Sequence, residues 1–330
     1  MPGRSRTRFS RVHRACIVAL VCVAAVVAAD AAPVRLATFN VQNYLCMDRR
    51  LEGRFRPKYP KPEKEKAAIR SVIRAVHPHV LCLQEIGPRP FLDELQQDLA
   101  TEGSPFPHAA FLEAADPLRH VALVARIPIR AVVEHDDVTF EYLGRTEPVK
   151  RGLLEVTFDG EGGVWRVFIV HLKSPLTEHA ADPGAEKRRA AEARAVRDRI
   201  LRQTRGETEP RFVIAGDLND APDSRTLAAF SRRKGKVAAP LEAADSRGEV
   251  WTHFQARSAR YERVDYILVS PGLLPHVVGR HAFIFDGERA IEGSDHRLVW
   301  TDLEIAVDAS PAVTPAPATK TPAGTSRPAL

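Results

Sequence analysis

Carboxylates, amides and imidazoles stand at or beside apolar runs at six places in this chain. Asn40 lies in Leu36-Ala37-Thr38-Phe39-Asn40-Val41, Glu85 closes Val80-Leu81-Cys82-Leu83-Gln84-Glu85, and His171 closes Val167-Phe168-Ile169-Val170-His171. Further on come Ala215-Gly216-Asp217-Leu218-Asn219, the run 263–269 with Asp265 inside it, and Gly293-Ser294-Asp295-His296. Singly, Gly-Asp and Ser-Asp pairs are turn chemistry, and a lone histidine is a satisfied core or surface group. Six together point further, because an ionised carboxylate against a buried strand is costly unless a metal, a cation or several donors meet it. Glu85, Asp217, Asp295 and the amide oxygens of Asn40 and Asn219 are hard oxygen donors, suited to Mg²⁺, Mn²⁺ or Ca²⁺. No HExxH, CxxC or close His pair offers a zinc site. His171 and His296 are then free to donate protons or to balance charge on a phosphoryl group. No G-x-S-x-G elbow surrounds Ser294, so a helper hydrogen bond suits it better than nucleophilic attack.

The elements that must hold these groups are readable in outline. Ile69, Val72, Ile73 and Val76 recur at helical spacing after Pro62, and Pro78 ends that helix ahead of the strand carrying Glu85. A second helix is predicted over 185–203, its narrow stripe of Ala193, Val196 and Ile200 flanked by a crowd of arginines read as a solvated face. Strands are predicted at 35–41, 79–84, 120–126, 149–158, 164–171, 211–216, 263–269, 281–285 and 297–305. Several alternate apolar with polar residues, as in Leu154-Glu155-Val156-Thr157-Phe158, which indicates antiparallel strands in mixed sheets. Periodicity alone stops at one α/β or α+β domain of hydrolase size.

The chain ends differ from this body. Arg4, Arg6, Arg8, Arg11 and Arg14 precede an uncharged run from 15 to 29, and Ala29-Asp30-Ala31 fits a small-residue cleavage site, so 1–31 is read as a secretory signal peptide. The run is short for a membrane span of about 20 residues, which makes an N-terminal anchor the alternative. Export to the periplasm or the medium is expected, with no permanent span after processing. The chain carries 48 basic and 42 acidic residues; five of the arginines lie in the signal segment, so the mature charge is near neutral and implies no nucleic-acid partner by itself. Cys46 and Cys82 remain after cleavage, and the sequence leaves open whether they pair. The Pro/Ala/Thr-rich stretch 308–330 cannot bury a core and is read as disordered. Residues 32–307 suffice for one large domain; a monomer is expected, and no protein partner is inferable.

The set Thr38-Phe39-Asn40-Val41-Gln42-Asn43-Tyr44, Leu83-Gln84-Glu85-Ile86, His171-Leu172-Lys173-Ser174, Gly216-Asp217-Leu218-Asn219-Asp220, Val264-Asp265-Tyr266-Ile267-Leu268 and Gly293-Ser294-Asp295-His296 resembles the endonuclease/exonuclease/phosphatase superfamily, in order and over most of the chain. The resemblance implies a DNase I-like α+β fold: a four-layer αββα sandwich of two mixed sheets with helices outside. It implies Glu85 as principal metal ligand, with Asn40 and Asp295 near the ion. Asp217, helped by Asn219, would orient or deprotonate the attacking water. His296, held by Asp265, would bind and polarise the phosphate, with His171 on the other side of the phosphorus. The chain departs from abasic-site nucleases of the superfamily at Gln42, where they carry an acidic residue near the metal. Its His-Leu-Lys-Ser motif looks like secreted nucleases and phosphodiesterases.

The reading at this stage is an exported, Mg²⁺-dependent (or Mn²⁺- or Ca²⁺-dependent) phosphodiester hydrolase, a nuclease acting on DNA or RNA. The alternatives are a phosphatase or phospholipase-like enzyme of the same superfamily and a secreted binding protein with an inactive site. Arg119, Arg151 and Lys173 are candidate phosphate contacts. Tyr44, Arg49, Arg50, Arg54, Arg56, Lys58 and Tyr59 form a basic, aromatic-interleaved stretch that could grip a nucleic-acid backbone.

Overall fold

Two sheets carry the long apolar runs on their facing sides, and the helices cover what the sheets leave open. The computed structural model describes residues 32–306, apart from 177–178 and 232–236. The expected signal peptide, 1–31, and tail, 308–330, lie outside the described residues. In chain order the elements begin β1 (Val34–Tyr44), β2 (Met47–Leu51), β3 (Arg54–Tyr59), α1 (Glu63–Val76), β4 (Val80–Ile86), α2 (Arg89–Thr101), β5 (His108–Leu112) and β6 (His120–Ala125). They continue with β7 (Ala131–His135), β8 (Thr139–Tyr142), β9 (Arg145–Pro148), β10 (Leu153–Phe158), β11 (Trp165–His171), α3 (Glu186–Gln203), β12 (Phe212–Asp217) and α4 (Arg225–Ser231). Last come β13 (Ala239–Pro240), β14 (Glu242–Ala244), β15 (His253–Gln255), β16 (Arg260–Glu262), β17 (Asp265–Val269), β18 (His281–Ile284) and β19 (Val299–Leu303).

The first sheet has the order β14-β18-β19-β1-β4-β6-β5 and the second β13-β17-β12-β11-β10-β7. Both are mixed: β1 and β4 run parallel, as do β11 and β12, while β6 and β17 pair antiparallel to their neighbours. Leu36, Val80 and Leu123 of the first sheet pack in one core with Val156, Val167 and Val213 of the second. Alternation then sends Phe39, Leu81 and Leu83 to the other face, onto Ile69, Val72 and Ile73 of α1 and Leu92, Leu95 and Leu99 of α2. Phe168, Ile214 and Leu268 likewise meet Ala193, Val196 and Ile200 of α3. The result is the four-layer αββα sandwich.

The helix after Pro62 ends in a left-handed His77, just before Pro78. Three differences from the predicted elements have local causes. The strand expected from 149 begins at Leu153, because Gly152 sits at φ +64° and its N–H closes a turn onto the Val149 carbonyl. The strand expected from 263 begins at Asp265, since the N–H of Val264 turns to the Thr252 hydroxyl. The arginines of α3 are not a merely solvated face: Arg189 is 3% exposed and pairs with Asp220, Arg188 with Glu147, and Arg199 with Asp137. Among the described residues no helix is long and apolar enough to cross a membrane. Cys46 is exposed, Cys82 is buried, and both are free thiols.

Candidate active site

The parallel register of β11 and β12 sets His171 beside Asp217, and the antiparallel register of β12 and β17 sets Asp217 beside Asp265. One residue earlier, Val170 faces Gly216 so closely that a Cβ there would stand 2.0 Å from the Val170 carbonyl oxygen. With φ at +146°, only glycine fits, and the two strand ends close together because of it. From the first sheet, Asn40 on β1 reaches across: its Nδ2 donates to Asp217 Oδ2 at 3.0 Å. Irregular pairing of β1 and β4 brings Gln42, Asn43 and Glu85 to positive φ. Such strain in non-glycine residues marks a place the surrounding fold over-determines. The bend lets Glu85 Oε2 accept the Asn43 N–H at 2.9 Å.

Asp217 is 1% exposed and every side-chain oxygen is engaged. Oδ1 accepts the Asn219 N–H at 2.8 Å, and Oδ2 accepts the amides of Asn40 and Asn219, each at 3.0 Å. His171 Nε2 lies 3.6 Å from Asp217 Oδ2 and 3.9 Å from Glu85 Oε1. On the other side His296 Nε2 lies 4.0 Å from Asp217 Oδ2, while its Nδ1 pairs with Asp265 Oδ2 at 2.8 Å. The loop carrying His296 is held by Ser294, whose hydroxyl donates to the Asn40 carbonyl at 2.7 Å and accepts the His296 N–H. Gly293 lies against α1 at the Glu65 carbonyl, so this loop also depends on a missing side chain.

The charges follow from these contacts. Burial, reinforced by the nearby Asp265 carboxylate, raises the Asp217 pKa to about 7. Burial alone would lower His296, but the Asp265 carboxylate outweighs it and raises its pKa to about 10. His171 is pushed well below its ordinary value by burial and then by Arg151 and other cations around it. At neutral pH the site therefore holds an imidazolium at His296, a neutral imidazole at His171, and between them a carboxylate poised to exchange a proton.

The residues fit a hard divalent cation. Among the described residues, Glu85 Oε1 accepts no protein hydrogen bond, and the Asp295 side chain is one-third exposed with burial outweighed by His253 and His296, which hold its pKa low. Both offer open carboxylate oxygens of the kind Mg²⁺ takes. The Asn40 oxygen is committed locally to the Gln42 N–H at 3.0 Å. Of the candidate phosphate contacts, Arg119 reaches the Glu85 side of the site, with Nε 2.9 Å from Asn43 Oδ1 and 3.9 Å from Glu85 Oε2. Arg151 is paired with Asp116 at 3.0 Å. Lys173 donates to the Ser174 carbonyl at 3.0 Å, and burial, then Arg151, lowers its pKa to about 8.

Two residues beside the site were not predicted from the sequence. Thr252 accepts the N–H groups of both Val264 and Asp265 at 3.0 Å, which fixes the Asp265 strand end. His253 lies tilted against His296 with ring centroids 4.5 Å apart, so the chain does have a close His pair, built from positions 43 apart in sequence. Neither closes an apolar run, the signal that found the others.

The model of the Endonuclease/Exonuclease/phosphatase family matches residues 37–296. Among curated proteins, none matches the sequence. The fold is similar to the human Nocturnin catalytic domain with bound sulfate anion, at 17% identity and TM-score 0.55, covering 83% of this chain and 95% of that one. It is similar to a beta toxin from Staphylococcus aureus with bound magnesium ions, at 14% identity and TM-score 0.58, covering 82% and 99%. It is also similar to Sphingomyelinase C from Streptomyces griseocarneus, at 17% identity and TM-score 0.56, again covering 82% and 99%. Members of this family are phosphoesterases, typically dependent on a divalent metal. The span of the match, the two-sheet sandwich and the order of the motifs agree: this chain belongs to the endonuclease/exonuclease/phosphatase family.

Proposed function

We propose that the protein is an exported, divalent-cation-dependent phosphodiester hydrolase acting on DNA or RNA. The observation that carries the chemistry is the Asp217 carboxylate held between His171 and His296, the latter backed by Asp265. Hydrolysis of a phosphodiester needs a base for water and donors for the phosphoryl and leaving oxygens. Asp217 is the base, oriented by the amides of Asn40 and Asn219 so that its basic electron pairs keep one direction. His296, protonated, donates from Nε2 to a phosphoryl oxygen, and Asp265 holds that ring in its donor tautomer. His171 donates from the opposite side as a neutral imidazole. Glu85 and Asp295, with Asn40 beside them, would hold a divalent cation, which when bound would supply charge stabilisation to the phosphoryl group.

Support for a nucleic-acid substrate comes from the hairpin β2–β3. Arg50, Arg54, Arg56 and Lys58 are exposed on it beside an exposed Phe55, the combination that grips a phosphate backbone and stacks a base. Its root is tied to the site through Arg49, whose guanidinium donates to the Asn43 carbonyl at 2.8 Å. Arg119, Arg151 and Lys173 are assigned to the phosphates nearest the cut. Export rests on the arginines and apolar run ahead of residue 31.

The test offers purified protein supercoiled plasmid, single-stranded RNA, an aryl phosphodiester, an aryl monoester and sphingomyelin, each with Mg²⁺ and with chelator. Metal-dependent cleavage of plasmid or RNA is expected. Turnover of the monoester or of sphingomyelin alone overturns the nuclease assignment, and no turnover of any substrate overturns the enzyme.

A further inference from the structure

His253 has no part in the reaction just described, yet it stands against two residues that do. Its Nε2 lies 3.7 Å from Asp295 Oδ2, and His296 Nε2 lies 3.8 Å from Asp295 Oδ1. One donor atom from each of the three residues falls within 4.8 Å of the others. Both rings have a carboxylate on the Nδ1 side: Asp265 Oδ2 at 2.8 Å for His296 and Glu262 Oε2 at 3.7 Å for His253. Two imidazole Nε2 atoms flanking a carboxylate, each ring backed by a second carboxylate, is how proteins build imidazole–metal sites. Donors in a tetrahedral zinc site, with bonds of about 2.0–2.1 Å, stand about 3.3 Å apart, so the three side chains, now within 4.8 Å of one another, would draw together around an ion.

The backbone holds this trio in place. His253 pairs with His296 in an isolated antiparallel β-bridge, the Phe254 N–H donates to the Asp295 carbonyl at 2.9 Å, and the Arg297 N–H donates to the Thr252 carbonyl at 2.7 Å. The side chains of His253 and Asp295 are 19% and 34% exposed, so an ion can enter without unfolding the hairpin β15–β16. Two nitrogens and one carboxylate suit Zn²⁺ or Co²⁺ and disfavour Mg²⁺, which takes oxygen donors.

We propose that His253, Asp295 and His296 form an inhibitory site for a borderline transition ion such as Zn²⁺, which shares Asp295 with the oxygen-donor position but makes no use of Glu85. The incoming ion takes the Nε2 lone pair of His296, whose proton leaves to solvent, and it takes a carboxylate oxygen of Asp295. The phosphate donor is thereby withdrawn. Inhibition rests on the function proposed above; binding of the ion does not.

The test titrates chelator-treated protein with Co²⁺ alone, followed by visible absorption, then with Zn²⁺ as competitor. One equivalent of Co²⁺ with the intense bands of four-coordination is expected, displaced by stoichiometric Zn²⁺ but by Mg²⁺ only in large excess, since the two ions share Asp295 alone. His253→Gln weakens Co²⁺ binding at least about a hundredfold and Glu262→Gln about tenfold, while Glu85→Gln binds Co²⁺ as the parent does. With Mg²⁺ saturating, Zn²⁺ inhibits the parent and needs a correspondingly higher concentration in His253→Gln, whose uninhibited rate stays within about twofold. Equal Co²⁺ binding by His253→Gln, or its loss in Glu85→Gln, overturns the site. Bound Zn²⁺ that leaves the rate unchanged overturns the inhibition. If no phosphodiester is turned over at all, the Co²⁺ titration still decides the site.

Discussion

Asp217 and His296 divide one task, and their opposite shifts set the pH at which both are ready. Asp217 acts as base only when deprotonated, so activity rises with pH through its raised pKa of about 7, or somewhat lower once a bound cation favours the carboxylate. His296 acts only when protonated, so activity falls again as pH rises through about 10. A bell-shaped profile of kcat/KM is expected between those limbs. In Asp265→Asn the alkaline limb moves to lower pH, because the carboxylate that raises His296 is gone; an unmoved limb would detach Asp265 from that role. Asp217→Ala and His296→Ala should each cut turnover at least roughly a hundredfold with unchanged circular dichroism. Near-normal rates in either would refute the roles given them. These residues were legible in the sequence because each stands at or beside a run that must be buried, where a polar group needs a reason. His253 was not, because it begins a strand of three residues with no buried run behind it.

At the scale of elements, the approach of β11 to β12 depends on Gly216. Gly216→Ala would place a methyl group against the Val170 carbonyl at a φ that L-residues rarely adopt, and a loss of about 3 kcal/mol or more is expected in urea unfolding. Because His171 and Asp217 follow directly on that contact, the remaining folded enzyme should also be slow. Unchanged unfolding midpoints would mean that the strands part at no cost. The central strands were readable from their apolar runs to within a few residues. The bends that aim Glu85 and Asn43 were not, since they arise from unequal pairing of β1 with β4 and leave no mark on local composition. The hairpins β2–β3, β8–β9 and β15–β16 stand outside both sheets, and β2–β3 is largely exposed, so little drove them into a period-two pattern. Helix α2 does carry a signal in the sequence, Leu92, Leu95 and Leu99 at helical spacing.

For the molecule as a whole, neither sheet owns the site. Asn40 and Glu85 come from the first sheet, His171, Asp217 and Asp265 from the second, and the loop with Asp295 and His296 leads back into the first through β19. The motif order along the chain identified the sandwich, whereas the meeting of the two sheets at Asp217 could be seen only in three dimensions. The 3.0 Å bond from Asn40 to Asp217 spans that meeting. Catalysis is thus a gauge of whether the two halves of the protein are still clasped: a slip of an ångström or two between them silences the enzyme before any strand has frayed. Loosened yet working forms should not exist, and on slow heating activity should be lost before or together with the tryptophan fluorescence signal to which the buried Trp165 contributes. A rate that outlives that signal would mean that each half keeps its own share of the chemistry.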